Sequence, residues 1–177
     1  VRHVHYGALA AHALRSVVDL GKVTGISLQI YEEATVYCGN RAPQTPIQAQ
    51  FSLTFGVAAV LRWGRLDPWV YREPQFQDPL LRALEAKVQV GVDSQWTQQQ
   101  MRGARLLLEC SDGTRHEEEI TAVPGDAKLP FSELELTDKF LSYCMGSMSA
   151  EKALSWSRLL LVASADTHPF AFWNLPK

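Results

Sequence analysis

Cysteine is scarce in this sequence, and its net charge is small. The three cysteines, Cys38, Cys110 and Cys144, are widely spaced and form no Cys-x-x-Cys pair. Structural zinc sites and redox dithiols need closely spaced thiols, so this spacing argues against both and predicts buried, idle thiols. The net charge is −2 and no polybasic cluster is present. We therefore expect neither nucleic acid nor a membrane as a partner.

Motifs with a fixed chemistry are also missing. The sequence has no GxGxxG, P-loop, GxSxG or HExxH motif, so neither nucleotide binding nor these hydrolase chemistries have support. The first residues, VRHVHYGALAAH, lack the basic and then apolar layout of a signal peptide, which predicts a cytoplasmic protein. The length suits one ordinary domain with a small appendage.

One apolar stretch, residues 47–66, stands out from the rest of the chain; it reads IQAQFSLTFGVAAVLRWGRL. It is apolar on nearly every side, which predicts one helix buried inside a layered domain. Thr45 and Pro46 supply an N-cap and a first-turn proline, and Gly64 lies where such a helix commonly ends. Its polar residues favour protein surroundings over lipid.

Before this stretch the sequence predicts one helix and one strand. His3 and His5 alternate, so in an extended segment they would face the same side. The following segment, ALAAHALRSVVDLG, has helical periodicity and ends at Gly21, a candidate C-cap. The segment ISLQIYEEATVYC then begins with the apolar alternation of a half-buried strand, so we expect a strand over residues 26–38.

After the apolar stretch, turn and cap signals predict the remaining elements. They are a helix capped by Asp78, a strand at VQVGVD, a hairpin with strands 106–110 and 116–121 around Asp-Gly, a helix with the capping box Ser132 and Glu135, and a last helix over residues 150–165. Together the elements predict an α+β fold, in which a small antiparallel sheet packs with helices.

The elements divide into two predicted parts. Residues 1–145 form the α+β domain, and residues 146–177 add a C-terminal helix and an aromatic, proline-rich tail. The aromatic side chains of that tail would either pack back onto the domain or form an adhesive surface.

Several segments, taken in order, resemble the MmgE/PrpD family, which includes 2-methylcitrate dehydratase, cis-aconitate decarboxylase and iminodisuccinate epimerase. An early helix with His12 comes first. AQFSLTFGVAAVLRWGRL is similar to the family's A-x-F-S-L-x-Y-x-V-A-x-A-L-x-x-G run, and QDPLLRALEAKVQVGVD to its D-P-x-V-x-x-L-x-x-K-V-x-V-x-x-D run. DGTRHEEEITAVPGDAKLPFSELELTDKF resembles its hairpin, proline-serine turn and closing K-F. The likeness covers residues 3–145, and its specificity comes from the ordered combination.

The resemblance implies the smaller, C-terminal domain of a two-domain enzyme whose active site lies in the cleft between this domain and a larger helical one. We therefore expect the chain to be incomplete without a helical-domain partner. The family moves a proton next to a carboxylate and expels or adds a group at the neighbouring carbon. The implied activity is that of a lyase or isomerase, such as a carbon-oxygen lyase, on a small di- or tricarboxylic acid. No metal or organic cofactor is implied.

The resemblance also implies candidate site residues. His12 matches the family's helix histidine and would be a general acid/base or a carboxylate ligand. Where the family often has Lys-x-Tyr-Pro-x-Cys, the matching positions are His3, His5, Tyr6 and Ala8, so the lysine is not kept. His3 would replace it as a weaker carboxylate contact, because imidazole is cationic only below its pKa.

Gln50 and Ser52 are further candidates for binding substrate. At the start of the predicted central helix they would present an amide, a hydroxyl and backbone N–H groups to an anion. A capping serine and a packed glutamine explain the same residues equally well. A different function is open too: a non-catalytic interaction module that self-associates through its cleft face and aromatic tail. The absent lysine and helical domain favour this alternative.

Overall fold

The computed structural model describes residues 1–144 and 146–162 of the chain. The helices in this part are α1 (Arg2–Arg15), α2 (Glu32–Cys38), α3 (Pro46–Gln50), α4 (Leu53–Trp63), α5 (Pro79–Lys87), α6 (Ser94–Gln98), α7 (Glu133–Cys144) and α8 (Ala150–Val162). The strands are β1 (Val23–Ile30), β2 (Val88–Val92), β3 (Ala104–Cys110) and β4 (Arg115–Ile120). Short 3-10 turns occur at Leu20–Lys22, Pro68–Tyr71 and Gln75–Gln77.

The strands form one sheet in the order β2-β1-β3-β4. The α+β fold class predicted from the sequence is confirmed, but the expectation of a purely antiparallel sheet is wrong for one pairing. β1 pairs with β3 and β3 with β4 antiparallel, whereas β1 and β2 run parallel. The chain between β1 and β2 contains four helices, and such a long crossover can return it to the same end of the sheet.

The core of this sheet is built from alternating side chains. In β1 the buried residues include Ile26, Leu28 and Ile30, and β3 buries every second residue from Ala104 to Cys110. α1 packs against β3 and β4, while α4 packs against α1, α5 and β2. The helices therefore cover the apolar side chains that the strands present.

The hairpin predicted between β3 and β4 is confirmed. Gly113 has a φ of 83°, the left-handed conformation that Asp-Gly turns require and glycine adopts at no steric cost. Asp112 accepts hydrogen bonds from the backbone N–H and the hydroxyl of Thr114, at 3.1 and 2.6 Å. These contacts hold the turn, and they lower the pKa of Asp112 to about 2.

The predicted single helix over residues 47–66 is two helices, α3 and α4. Thr45 caps α3 and Gly64, with a φ of 71°, ends α4, as predicted. The break falls at Ser52, which has an extended conformation, pairs with Gly39 in a short β-bridge and begins α4 as its N-cap. A residue held in extended backbone pairing cannot also continue a helix, so the apolar run is divided there.

The elements before the apolar stretch also differ from expectation. α1 begins at Arg2 and ends at Arg15, and its C-cap is Ser16 rather than Gly21. His3 and His5 are helical rather than extended. The predicted strand over residues 26–38 ends at Ile30, and its second half is α2. Two acidic residues lie in the first turn of α2, where negative charge is favourable for a helix start.

Contacts divide the chain into two compact units, residues 1–123 and a second that begins at Pro124. In the second unit α7 packs against α8. Its capping box is confirmed, because Glu135 accepts from the backbone N–H of Ser132 at 2.8 Å and the Ser132 hydroxyl accepts from the N–H of Glu135 at 3.3 Å. The boundary after residue 145 stays a prediction, and the aromatic tail lies outside the described residues. Within them, no helix is long and apolar enough to cross a membrane.

Candidate functional site

His12 lies on the exposed face of α1. The opposite face of this helix is buried against the core through Gly7, Ala10 and Leu14. The His12 side chain is exposed, so it is open to a ligand or to a second domain. The helix itself is held in place by close packing, since Gly7 lies against Leu28 and Val57.

The structure does not bring His12 and His3 together. The two residues are nine positions apart on α1, which corresponds to about 14 Å along the axis and roughly half a turn around it. They therefore project from different ends and different sides of the helix. This distance exceeds the length of a small tricarboxylic acid, so one such molecule cannot contact both directly.

His3 is part of a cluster of rings that joins α1 to the end of β1. Its Nδ1 lies 2.6 Å from the hydroxyl oxygen of Tyr31. Its ring stacks on Tyr37 of α2, with centroids 5.5 Å apart and planes inclined by 8°. Tyr31 in turn meets Tyr6 edge to face at 5.9 Å. These contacts fix the orientation of the imidazole.

The proton positions in this cluster follow from burial. Burial lowers the pKa of His3, with Arg102 adding to the effect and Glu33 opposing it. Burial also raises the pKa of Tyr31, so its phenol keeps its proton. We assign the phenol O–H as donor to Nδ1, because a neutral imidazole nitrogen is a strong acceptor. His3 is then neutral with its proton on Nε2, and it offers a hydrogen bond rather than a positive charge.

Arg102 is a charged residue near His3 that sequence reasoning missed. Its guanidinium donates to Oε2 of Glu33 at 3.2 Å. Both residues line a surface cavity of about 300 Å³ together with Tyr31 and Trp96. No spacing or motif singles out Arg102, which precedes β3 and reaches α2 only through the tertiary fold.

Gln50 and Ser52 lie in different environments. Gln50 is exposed at the end of α3, so the alternative of a packed glutamine does not hold. Ser52 is buried, and its hydroxyl accepts from the N–H of Phe55 at 3.1 Å and shares a 3.0 Å hydrogen bond with Thr54. The capping alternative therefore describes Ser52, while its contact with an anion stays a prediction.

A buried polar chain continues from Ser52 into α5. The Thr54 hydroxyl donates to Oε1 of Glu85 at 3.1 Å, and Arg82 donates to Oε2 of the same carboxylate at 2.7 Å. Glu85 is only 5% exposed. Sequence reasoning missed this chain as well, because Thr54 and Glu85 are 31 positions apart and meet only where α4 packs on α5.

The three cysteines lie in different elements of the fold, α2, β3 and α7. Cys38 and Cys110 are buried, Cys144 is partly exposed, and all three are free thiols. Burial raises the pKa of the Cys38 thiol, which keeps it protonated and unreactive. The prediction of buried thiols therefore holds for Cys38 and Cys110.

Comparison with models of known families gives one match, the MmgE/PrpD C-terminal domain, over residues 1–162. This range contains all the elements from α1 to α8. It extends the resemblance of residues 3–145 to the end of α8. No curated protein matches the sequence.

Proposed function

Because the chain belongs to the MmgE/PrpD family, whose C-terminal domain it contains, we propose that it forms one side of the substrate cleft of a lyase or isomerase. The substrate is a small di- or tricarboxylic acid, and a helical domain completes the site. The observation that carries this proposal is the family match over residues 1–162. The exposed face of α1 supports it, because that face is open for a second domain to cover.

His12 is the catalytic residue in this proposal. Imidazole is the side chain best suited to move protons near neutral pH, and family chemistry requires an acid or base next to a carboxylate. His12 is exposed on α1, so it can meet substrate without any rearrangement of the core. It acts as general acid/base or as a carboxylate ligand.

His3 contributes to binding from the other end of α1. Its Nε2–H donates a hydrogen bond to a carboxylate or hydroxyl group, and the ion pair of Arg102 with Glu33 lies nearby. The amide of the exposed Gln50 is a further contact, whereas Ser52 acts by fixing the start of α4. Because His3 lies about 14 Å along α1 from His12, the two histidines contact different molecules or groups in the cleft.

An absorbance assay tests the proposal. Formation or loss of the unsaturated acid is followed in the ultraviolet with 2-methylcitrate, citrate and cis-aconitate, with and without a helical domain from the family. We expect turnover only when the helical domain is present. His12→Ala should abolish it, and since the side chain is exposed, folding should be retained. His116→Gln on β4 is the matched control and should leave the rate unchanged.

Two results would count against the proposal. If His12→Ala turns over as fast as the unmodified chain, His12 is not catalytic. If none of these substrates is turned over even with the helical domain, the enzymatic function is rejected, and the non-catalytic interaction module becomes the preferred hypothesis. A fold control by circular dichroism separates loss of activity from loss of structure.

The module has an observation of its own in the exposed apolar residues of α2 and α3. Val36 is 74% and Ile47 69% exposed. Tyr37, which is next to Val36, and Phe51, which follows α3, are exposed as well. Self-association through these residues predicts a dimer whose population rises with concentration in sedimentation experiments. Ile47→Glu should dissociate this dimer. Val17→Glu is the control: Val17 is 61% exposed but lies outside α2 and α3, so its replacement should leave the dimer intact.

A further inference from the structure

A surface cavity of about 240 Å³ is lined by residues of α4, of α5 and of the segment between α2 and α3. Two guanidinium groups, those of Arg41 and Arg82, line it, together with the side chains of Thr54, Glu85 and two glutamines. Two arginines line this one small cavity, and like charges repel each other to the extent that negative charge does not offset them.

Arg82 is held rigidly in this cavity. It donates to Oε2 of Glu85 at 2.7 Å and to the carbonyl oxygen of Pro43 at 3.1 Å. Its guanidinium also lies over the ring of Phe76, 4.4 Å from the centroid. These contacts fix the plane of the guanidinium, so its orientation toward the cavity costs little entropy when a ligand binds.

Glu85 is fully engaged by the protein. One carboxylate oxygen accepts from Thr54 at 3.1 Å and the other from Arg82 at 2.7 Å. The carboxylate thus balances the charge of Arg82. It does not balance a second guanidinium.

Arg41 brings the unbalanced charge. It donates to the carbonyl oxygen of Val88 at 2.8 Å, which anchors the side chain with a neutral acceptor. In the part of the chain that the structure describes, no carboxylate lies within ion-pair distance of Arg41. Arg41, Arg82 and Glu85 together therefore give the cavity a net charge of one positive unit.

We propose that this cavity binds a small oxyanion, a carboxylate or a phosphate, between the guanidinium groups of Arg41 and Arg82. Guanidinium groups bind these anions through paired N–H donors, and such charge-assisted hydrogen bonds are stronger than neutral ones. Neither His12 nor His3 lines this cavity, and the proposal does not depend on the proposed enzymatic function.

A second cavity shows what the rest of the ligand would meet. It shares Arg41 and Thr54 with the first one, so the two adjoin, and its other lining residues include Leu53, Val90 and Val92. An organic acid could place its carboxylate on the arginines and a short apolar chain on these residues. A free phosphate would use the arginines alone.

Nuclear magnetic resonance titration of the full chain tests the site through the Nε–H signals of its arginines. The probes are inorganic phosphate, acetate and butanoate. We expect saturable shifts of Arg41 and Arg82 at millimolar concentrations. Arg41→Gln should weaken binding about tenfold, the effect of losing one charged hydrogen-bonding partner. The matched control is Arg115→Gln, an exposed arginine paired with Glu109, which should bind as the unmodified chain does.

Arg41 is the better target because removal of Arg82 would leave the buried Glu85 unpaired and endanger the fold. Tighter binding of butanoate than acetate identifies an organic acid, and tighter binding of phosphate than of both identifies phosphate. Absence of saturable shifts at the two arginines, or equal affinity in Arg41→Gln, would overturn the proposal. None of these readouts requires catalytic activity, so this site and the proposed function fail separately.

Discussion

The hydroxyl oxygen of Tyr31 lies 2.6 Å from Nδ1 of His3, although the two residues are 28 positions apart. This hydrogen bond ties the first turn of α1 to the residue that follows β1. It also changes the chemistry expected of His3, which the resemblance aligns with the family's lysine. A lysine there would bring a positive charge, whereas His3 brings a directed hydrogen bond from Nε2.

Tyr31→Phe should allow His3 to populate both of its neutral tautomers. In our assignment the phenol donates to Nδ1 of His3 across the 2.6 Å contact, which confines the imidazole proton to Nε2. Without that donor both tautomers become populated. Nitrogen chemical shifts of the imidazole measure the ratio. Tyr37→Phe keeps the stacked ring beside His3 and should leave the ratio unchanged; a mixture already present in the unmodified chain would refute the assignment.

His3 should make the free energy of unfolding depend on pH. Burial lowers its pKa below the ordinary value of 6.5, so the unfolded chain binds more protons and stability rises with pH. As the pH falls below the pKa of His3 in the unfolded chain, the free energy of unfolding should decrease. The decrease should stop below the lower pKa of His3 in the folded chain. Urea unfolding between about pH 7.5 and pH 5 covers this window.

His3→Gln is the variant that isolates this effect. Its unfolding free energy should fall less on acidification than that of the unmodified chain, because glutamine does not titrate. His116→Gln serves as the control and should keep the full pH dependence. Equal slopes for His3→Gln and the unmodified chain would show that the imidazole is not held neutral by the fold.

Ser52→Ala should destabilise the domain more than Thr45→Ala. Both residues are N-caps, but Ser52 is buried and bonds Thr54 as well as the N–H of Phe55. Loss of a cap costs about 0.5–2 kcal/mol, and we expect Ser52 at the upper end and Thr45 at the lower end. Urea unfolding measures both. Equal costs would mean that burial of the Ser52 hydroxyl adds nothing.

Gly56→Ala should also destabilise the domain, although alanine favours helix. A methyl group at this position would overlap Cγ1 of Val4, where α1 crosses α4. Overpacking of this kind costs about 1–3 kcal/mol. The replacement of glycine by alanine in a helix gains at most about 1 kcal/mol, so we expect the cost to exceed the gain. Combined with Val4→Ala, the cost should be smaller than the sum of the two single changes. Simple additivity would exclude the overlap.

Most local signals in the sequence were reliable, although the C-cap predicted at Gly21 was wrong. The caps at Thr45 and Asp78 and the capping box at Ser132 each bond a partner three residues away. The hairpin turn at Gly113 likewise depends on a few adjacent residues. Because these bonds form within one turn, their residue pattern is sufficient to predict them.

Predictions that rested on one long periodic run were less accurate. Apolar residues continue through Ser52, so the pattern predicts one helix, yet the β-bridge from Gly39 interrupts it. The alternation that begins in β1 predicts a strand up to residue 38, but the chain becomes helical at Glu32. In the first case pairing with a neighbouring segment decides the conformation, and in the second case two acidic residues favour a helix start. The hydrophobic periodicity alone does not contain either effect.

The sequence by itself determined the α+β class, the hairpin, the caps and the family, since these depend on local composition and on the order of segments along the chain. Only the tertiary structure decided the parallel pairing of β2 and the contacts of His3 with Tyr31 and of Arg82 with Pro43. Those partners are separated by long stretches of chain. Their approach is set by how buried apolar faces pack together, a property of the whole core and not of any one segment.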